Sequence, residues 1–259
     1  MNKILFILFT AALFTNCPAQ TAVELNDQSK KLLLKGETAK AVPIMKKAAE
    51  LGNAEAQYNY AYSLQKGIEV TQNDSIANIW LLRSAQQGWI DAQFKIAYSY
   101  AVGRGIKKDL DKAFSWSMKC AQQNDPDCIS NIIACYTEGK GITLNYDSAS
   151  VWNVRLASLP DVASLQQSSI ITNARINLAL AYRDGNYYPK DKIKSYRWFL
   201  IYNESKKDFS VLVQQNNIDA IKELEKNLSA TEKEQAKLDA EKQINRKLNN
   251  LDNLYKQEL

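Results

Sequence analysis

The sequence predicts an all-α fold, a solenoid of antiparallel helix pairs, from three observations. First, the stretch Ala92–Asn124 aligns with other parts of the chain shifted by 36 residues upstream and downstream, and a looser copy follows 82 residues later. Second, apolar residues within each copy recur at intervals of three and four, as in an amphipathic helix. Third, the 259 residues include only nine Gly and five Pro, which argues against disorder and against a turn-rich all-β fold. In such an array each unit buries its apolar face on its neighbours.

The N-terminus has the composition of an export signal. Lys3 precedes an apolar run, Ile4–Phe14, that is too short to span a bilayer. Two processing routes are open. Small residues at 17–19 fit cleavage by a signal peptidase, which makes residues 1–19 a signal peptide. Alternatively, residues 14–17 form a loose lipobox, and Cys17 becomes a lipidated first residue on a bacterial envelope membrane. Both routes predict export to the periplasm or the extracellular space.

Residues 23–53 are predicted to form N-terminal capping helices that include half a repeat. Ala41, Ile44, Ala49 and Gly52 follow the register of the second helix in the later copies. This half copy would cover the apolar face of the first complete copy, as terminal repeats of solenoids do.

Four complete copies are predicted in residues 54–203, each a helix, a turn and a second helix. A small residue near the start of the first helix lets a neighbouring helix approach closely. A glycine then marks a turn with positive φ, an Asx residue caps the second helix, and a Trp seven residues later lies on its buried face. In the order of the copies, these positions are Ala56, Ala92, Cys128 and Ala174; Gly67, Gly103, Gly139 and Gly185; Asn73, Asp109, Asn145 and Asp191; and Trp80, Trp116, Trp152 and Trp198.

The succession of Ala92, Tyr100, Gly103, Asp109 and Trp116 resembles the Sel1-like repeat, a relative of the tetratricopeptide repeat. The resemblance covers about residues 39–202 and implies a right-handed superhelix of antiparallel helix pairs. Two copies depart from it. A second glycine of the turn, present as Gly105 and Gly141 in copies two and three, is Glu69 in copy one and Tyr187 in copy four.

Two stretches interrupt the period. Ten extra residues within about 159–172 predict a surface insertion, and Pro160 is expected to end the helix before it. Residues 204–259 are predicted to hold a degenerate last helix pair and then a polar helix that starts at a Ser229–Glu232 capping box and runs towards Leu259. A polar closing helix of this kind resembles the end of many Sel1-like arrays. A dimerising coiled coil is the alternative, but polar residues occupy its heptad positions, so a monomer is expected.

Three cysteines remain after Cys17 in a chain expected to be exported, where disulfides form. Cys120 ends one second helix and Cys128 begins the next first helix, eight residues away at the base of one helical hairpin. Cysteine-rich Sel1-like proteins carry bridges of this spacing, and we predict a Cys120–Cys128 disulfide. Cys135 lies two turns along the helix from Cys128, too far to bridge it, and is predicted to be a buried free thiol.

A polar position on the first helices predicts a binding surface. First helices line the concave face of such superhelices, which is their usual docking surface. Amide side chains there can hydrogen-bond the backbone of an extended peptide, and a lysine can hold a carboxylate. The predicted peptide or partner site consists of Asn59, Tyr62, Lys95, Tyr98, Asn131 and Asn177. The alternative is an ordinary solvated helix face, with first-turn acids placed to favour the helix dipole.

The composition excludes several functions. The chain has no His, which removes Ser-His-Asp and Cys-His catalysis and His-ligated zinc or haem. A net charge of +5 without a concentrated basic run argues against nucleic-acid binding. We therefore predict an exported scaffold for protein or peptide binding, without catalysis, cofactor or metal. Two alternatives stay open: an enzyme acting on cell-wall or β-lactam substrates, as assigned to some cysteine-rich Sel1-like proteins, and an immunity-like binder that sequesters one partner.

Overall fold

The computed structural model describes residues 18–204 and 211–250, and within these ranges every regular element is a helix. The predicted fold class, an all-α solenoid of helix pairs, is confirmed. The described residues up to Lys108 form one compact unit, unit 1, and those from Asp109 form a second, unit 2. The helices are α1 Pro18–Leu34, α2 Thr38–Glu50, α3 Ala54–Lys66, α4 Asp74–Gln86, α5 Ile90–Val102, α6 Leu110–Gln122, α7 Pro126–Glu138, α8 Tyr146–Ala157, α9 Leu165–Asp184, α10 Lys192–Glu204, α11 Val211–Lys226 and α12 Ala230–Ile244.

Unit 1 contains α1 to α5, and each helix packs against the next along the chain. Its core is formed by Leu64, Leu81 and Ile96, which are 5%, 1% and 0% exposed, together with small residues that let the helices approach closely. The hydroxyl of Ser29 donates to the carbonyl of Ala41 at 3.1 Å, which joins α1 to α2 inside the core.

Unit 2 contains α6 to α12, and α10 is its most buried helix. Tyr196, Trp198 and Phe199 of α10 are fully buried. The neighbours of α10 include α9 and α12. The polar helix α12 therefore packs on the repeat array, where it presents Ala236 and Ala240 as buried small residues.

The repeated glycine and Asx positions adopt the conformations that the sequence predicts. Gly67, Gly103, Gly139 and Gly185 all end first helices in the left-handed region, with φ between 68° and 81°. An L side chain is strained in that region, whereas glycine is not. The Asx side chains at 73, 109, 145 and 191 each accept the backbone N–H three residues later, at 2.8 to 2.9 Å.

The tryptophan position is less uniformly buried than predicted. Trp80 and Trp198 are buried, but Trp116 and Trp152 are only half-buried. A cation three residues later lies over each half-buried ring: the Lys119 ammonium is 4.1 Å from the Trp116 centroid, and the Arg155 guanidinium is 4.7 Å from the Trp152 centroid. These cation–π contacts shield the rings from solvent.

The predicted insertion is mostly helical. The helix α9 begins at Leu165, where the Ser164 side chain accepts the N–H of Gln167, and it has 20 residues against 13 in α3, α5 and α7. The extra residues beyond 164 contain no Pro or Gly to stop a helix. Only a short connection between α8 and α9, near Pro160, matches the surface loop that the sequence predicts.

The C-terminal region differs from the prediction in two respects. The degenerate last pair is a single continuous helix, α11, over its described residues. The polar helix does not continue towards Leu259, because α12 ends at Ile244 and Asn245 adopts a left-handed conformation with φ 54°. The buried carboxylate of Glu204 then accepts the N–H groups of Asn249 and Asn250 at 2.8 and 2.6 Å, which holds this segment out of a helix.

The predicted signal segment up to Cys17 lies outside the described residues. Among the helices that the structure describes, none combines the length and the apolar character needed to cross a membrane.

Candidate binding surfaces

The four predicted site residues of unit 1 lie on matching faces of α3 and α5. Asn59 and Tyr62 are one turn apart on α3, and Lys95 and Tyr98 are one turn apart on α5. The two tyrosines are unusually open for large aromatic residues, with 43% and 54% of their surfaces exposed, whereas Asn59 and Lys95 are half-buried. We call these four residues the first-helix face.

The charged residues around the first-helix face differ in whether they form an ion pair. Glu55 on α3 accepts from Asn26 at 2.7 Å and pairs with Lys30 at 2.8 Å, and this hydrogen bond to Glu55 raises the pKa of Lys30. Lys95, by contrast, forms no ion pair with any residue in the described ranges. An ammonium without an ion pair in the described ranges, one turn from the exposed Tyr98, can bind a carboxylate.

The helices α3 and α5 are electrostatically coupled at the base of this face. Burial raises the pKa of the Tyr58 phenol, and the Asp91 carboxylate on α5 raises it further. Tyr58 is half-buried and lies one turn before the exposed Tyr62 on α3.

In unit 2 the two predicted residues have different surroundings. Asn131 on α7 is exposed, and it is not among the residues that line the groove described next. Asn177 on α9 lines a groove of 460 Å³ between α7, α8 and α9. We call it the tyrosine groove, because its rim is formed by Tyr146 at the start of α8 and by the turn residues Tyr187 and Tyr188.

The tyrosine groove is an uncharged site. Its other lining residues are apolar or carry amide and hydroxyl groups; among them are Ile133, Thr137, Ser150, Asn153 and Leu180. The rings of Tyr146 and Tyr187 lie 5.7 Å apart between centroids and are tilted by 37°. Tyr188 stacks on Tyr182 at 4.7 Å and donates its hydroxyl to the carbonyl of Ser150 at 3.1 Å. Burial raises the pKa of Tyr188 and so keeps it a donor.

The cysteines form a structural link and not a metal site. Cys120 and Cys128 are joined in a disulfide with their Cα atoms 5.7 Å apart, within the usual range for such bridges. The Asp125 carboxylate lies within 4.8 Å of the two sulfur atoms, but it accepts the N–H of Cys128 and caps α7. Bonded sulfurs are not thiolates, so this group does not offer the ligands of a zinc site.

Cys135 is half-buried and not part of a disulfide, so it is more exposed than predicted. Burial raises the pKa of its thiol. The reactive thiolate is therefore a minor species at neutral pH.

Sequence reasoning missed one set of structural residues, at the position after the small residue of each first helix. Gln57 and Gln93 are 5% and 4% exposed, and each donates its side-chain amide to a carbonyl of the preceding helix at 3.1 Å. The corresponding residue of copy four is Arg175, which is 4% exposed. The available signal was a long polar residue at this position in copies one, two and four, directly after the small residue of the first helix.

Comparison with known sequences identifies the repeat. The sequence profile of the Sel1 repeat matches residues 54–89, 90–125 and 172–201. The chain contains Sel1 repeats. The matched segments hold copies one, two and four, whereas copy three lies outside them, although α7 and α8 form the same helix–turn–helix unit. No curated protein sequence matches the chain.

One solved structure supports the fold of these Sel1 repeats. A Sel1 repeat protein from Oxalobacter formigenes superposes with a TM-score of 0.55 at 24% identity, over 84% of this chain and 82% of that one. A protective antigen of uropathogenic Escherichia coli strains, displaying an SLR fold, gives a TM-score of 0.41 at 19% identity, over 91% of this chain and 55% of that one. The first of these similarities supports the helical-repeat fold and nothing beyond it.

Proposed function

We propose that this protein is an exported, non-catalytic scaffold that binds a protein or peptide partner through its first-helix face. Proteins built from Sel1 repeats are generally scaffolds for protein–protein interaction. The observation that carries the proposal is the pair Tyr62 and Tyr98, which are exposed on neighbouring first helices. Tyrosine is enriched among the residues that dominate binding energy at protein interfaces, because it offers a large rigid ring with a polar end.

The first-helix face also suggests which part of a partner it takes. Asn59 can donate to and accept from a peptide backbone, and the uncompensated Lys95 suits a carboxylate from an acidic side chain or a chain end. An extended acidic segment fits this combination of aromatic, amide and ammonium groups. A monomeric scaffold needs no further subunit for such binding.

Export rests on the sequence of the N-terminus and agrees with a disulfide in unit 2. The intact mass of the mature protein tests it and separates the two processing routes. A mature chain starting near Gln20 supports cleavage by signal peptidase, and an acylated N-terminal Cys17 supports the lipoprotein route. A mature chain that retains Met1 or Asn2 contradicts both.

Capture of partners from the native cell envelope tests the binding function. The full chain is immobilised, and retained proteins are quantified by mass spectrometry for the wild type, for Tyr62→Ala combined with Tyr98→Ala, and for Lys95→Ala. We expect the captured set to be depleted at least about tenfold by the double substitution, as for interface residues of the hot-spot class. The matched control is Ile79→Ala, which removes a side chain that is 51% exposed on the second helix α4. Equal capture by the double variant and the control contradicts the proposal.

A further inference from the structure

The tyrosine groove exists at the one turn where a tyrosine replaces the second glycine of the repeat. In copy two, a Cβ added to Gly105 would lie 2.5 Å from the backbone carbon of Asp74. In copy three, a Cβ added to Gly141 would lie 2.1 Å from the carbonyl oxygen of Leu110. Both contacts are with the first residue of the preceding second helix. These turns therefore close tightly only because they carry glycine.

Copy four cannot make that close contact. Its turn has Tyr187 opposite Tyr146, the first residue of α8. A side chain at this position keeps the turn away from the helix, and the 460 Å³ groove lies where copies two and three are packed closed. The same substitution thus opens the groove and lines its rim with aromatic rings.

Tyr187 is held in a conformation that does not suit its side chain. Its φ is 63°, in the left-handed region that L residues adopt with strain, while its side chain is 77% exposed. Strained residues that their own packing does not compensate cluster at ligand sites. The exposed ring of Tyr187 gains little from the fold and is available to a ligand.

The polar groups of the groove are also available. The side-chain amides of Asn153, Asn177 and Asn186 line it, and within the described ranges they make no hydrogen bond to other protein groups. Each amide can both donate and accept. No charged side chain contributes to the lining.

We propose that the tyrosine groove binds an uncharged saccharide. A pyranose ring has an apolar face that packs on the electron-rich face of an aromatic ring and hydroxyl groups that bond to planar amides. The tilted rings of Tyr146 and Tyr187 offer the first kind of surface, and the three asparagines offer the second. The volume of 460 Å³ lies in the range of about 300–1,000 Å³ that is usual for small-molecule sites.

A peptide fits the groove less well. Its anchoring side chain needs an enclosed pocket, whereas Tyr146 and Tyr187 present broad surfaces that are 47% and 77% exposed. A charged saccharide or nucleotide would find no counter-charge in the lining. This site belongs to unit 2 and stands without the first-helix face of unit 1, so either proposal can fail alone.

The test uses the full chain with three neutral probes: cellotriose, maltotriose and triacetylchitotriose. Saturation-transfer NMR detects contact with the sugar ring protons, and titration calorimetry measures the affinity. We expect at least one probe to bind, with saturation strongest on one face of a pyranose ring. Tyr187→Gly should weaken that binding at least about tenfold, which corresponds to the loss of one stacked ring, and the fold should persist because glycine suits φ 63°.

Two further variants show whether saccharide binding depends on the tyrosine groove in particular. Asn177→Ala removes one amide from the groove and should weaken binding several-fold. Tyr98→Ala removes another exposed tyrosine, 54% exposed against 77% for Tyr187, from the first-helix face and should leave saccharide binding unchanged. The proposal is overturned if no probe binds, if Tyr187→Gly binds as tightly as the wild type, if Tyr98→Ala weakens binding equally, or if a blocked Gly-Tyr-Gly peptide displaces the bound sugar.

Discussion

The joints between consecutive helix pairs are tied by different chemistry in the two units. In unit 1 both joints use the same bond: Gln57 donates to the carbonyl of Ala49, and Gln93 donates to the carbonyl of Ala85. Both carbonyls lie in the last turn of a helix and already accept a backbone N–H from the turn that follows, Gly52 onto Ala49 and Gly88 onto Ala85, each at 3.0 Å. The buried amide is a second donor to the same oxygen and bonds the next first helix to the end of the preceding helix.

In unit 2 neither joint uses this bond. The position of the glutamine is Ile129 at the α6–α7 joint, and isoleucine cannot donate. There the adjacent residue Cys128 is bonded to Cys120, so a covalent link joins the two helices.

At the α8–α9 joint the connecting segment is longer than at the other joints, and an arginine occupies the position of the glutamine. Arg175 donates to the carbonyls of Ala157 and Leu159 at 3.0 and 2.6 Å and to the Asp161 carboxylate at 2.7 Å. Its guanidinium has enough donors to hold both the end of α8 and the connecting segment. Each of these joints therefore has a stabilising bond between its helices, but the residues and the type of bond differ from joint to joint.

The largest expected effect comes from Arg175→Met, which breaks the most connected joint. Removing the guanidinium leaves the buried carbonyl of Ala157 and the partly buried carbonyl of Leu159 without this donor, and we expect the free energy of unfolding to fall by about 3 kcal/mol. The ion pair with Asp161 adds little, because that carboxylate is 40% exposed. Urea unfolding followed by circular dichroism measures the change. Arg183→Met, on the same helix but in an exposed pair with Asp184, is the matched control and should lose no more than about 0.5 kcal/mol.

Removing the disulfide should have the next largest effect. The bridge closes a chain segment with a sequence separation of 8, and loop-closure entropy for that length predicts a loss of about 2.5 kcal/mol in the double variant Cys120→Ala, Cys128→Ala. Wild-type protein in dithiothreitol should unfold at nearly the same urea concentration as the double variant in buffer. The control Cys135→Ala removes a cysteine that is not part of the disulfide. If this single variant lowers the free energy of unfolding as much as the double variant does, the disulfide does not account for the loss.

Gln93→Leu tests the tie used in unit 1. The leucine keeps most of the volume but removes the side-chain donor, while the Ala85 carbonyl still accepts the N–H of Gly88, so we expect a loss of about 1 kcal/mol. The control is Gln86→Leu, an exposed residue at the end of α4, with an expected change within about 0.5 kcal/mol. The same urea experiment compares the two. If Gln93→Leu and Gln86→Leu have the same free energy of unfolding, the buried amide of Gln93 does not stabilise the α4–α5 joint.

The smallest effect, and the sharpest test of the comparison, is a rescue. Ile129→Gln, made in the protein that lacks Cys120 and Cys128, places the unit 1 donor opposite the carbonyl of Ala121. We expect it to recover about 1 kcal/mol of the stability lost with the disulfide. In the presence of the disulfide the same substitution should destabilise, since it replaces a fully buried apolar side chain. A further loss in the cysteine-free protein would show that the joints are not interchangeable.

The repeated turns and helix caps could be predicted, because each depends on the local chemistry of one residue. A glycine at the turn position, such as Gly139, adopts a positive φ without strain, and an Asx side chain, such as that of Asn145, caps the helix that follows. The contacts of Arg175 could not be predicted, although Ala174 places this residue in the register of Gln93, because the sequence does not show which carbonyls an arginine at that position reaches. The helical extension of α9 was missed because the extra residues have no counterpart in the other copies.

The two candidate sites also differ in how far the sequence could predict them. Tyr62 and Tyr98 were found from their register, because exposure on a first helix follows from helical periodicity. The tyrosine groove was not, since it depends on how far a turn stands from a helix of the preceding copy. Tyr187 was visible in the sequence only as a departure from the glycine pattern, and its effect required the contacts of Gly141 for comparison.

The tryptophan position gives each repeat its own fluorophore. Trp80 and Trp198 are buried, whereas Trp116 and Trp152 are only half-buried. Partial unfolding of a repeat array can begin at any unit and spread to its neighbours. Single-tryptophan versions of this chain would therefore report, without any added label, which repeat melts first and whether the two units melt together.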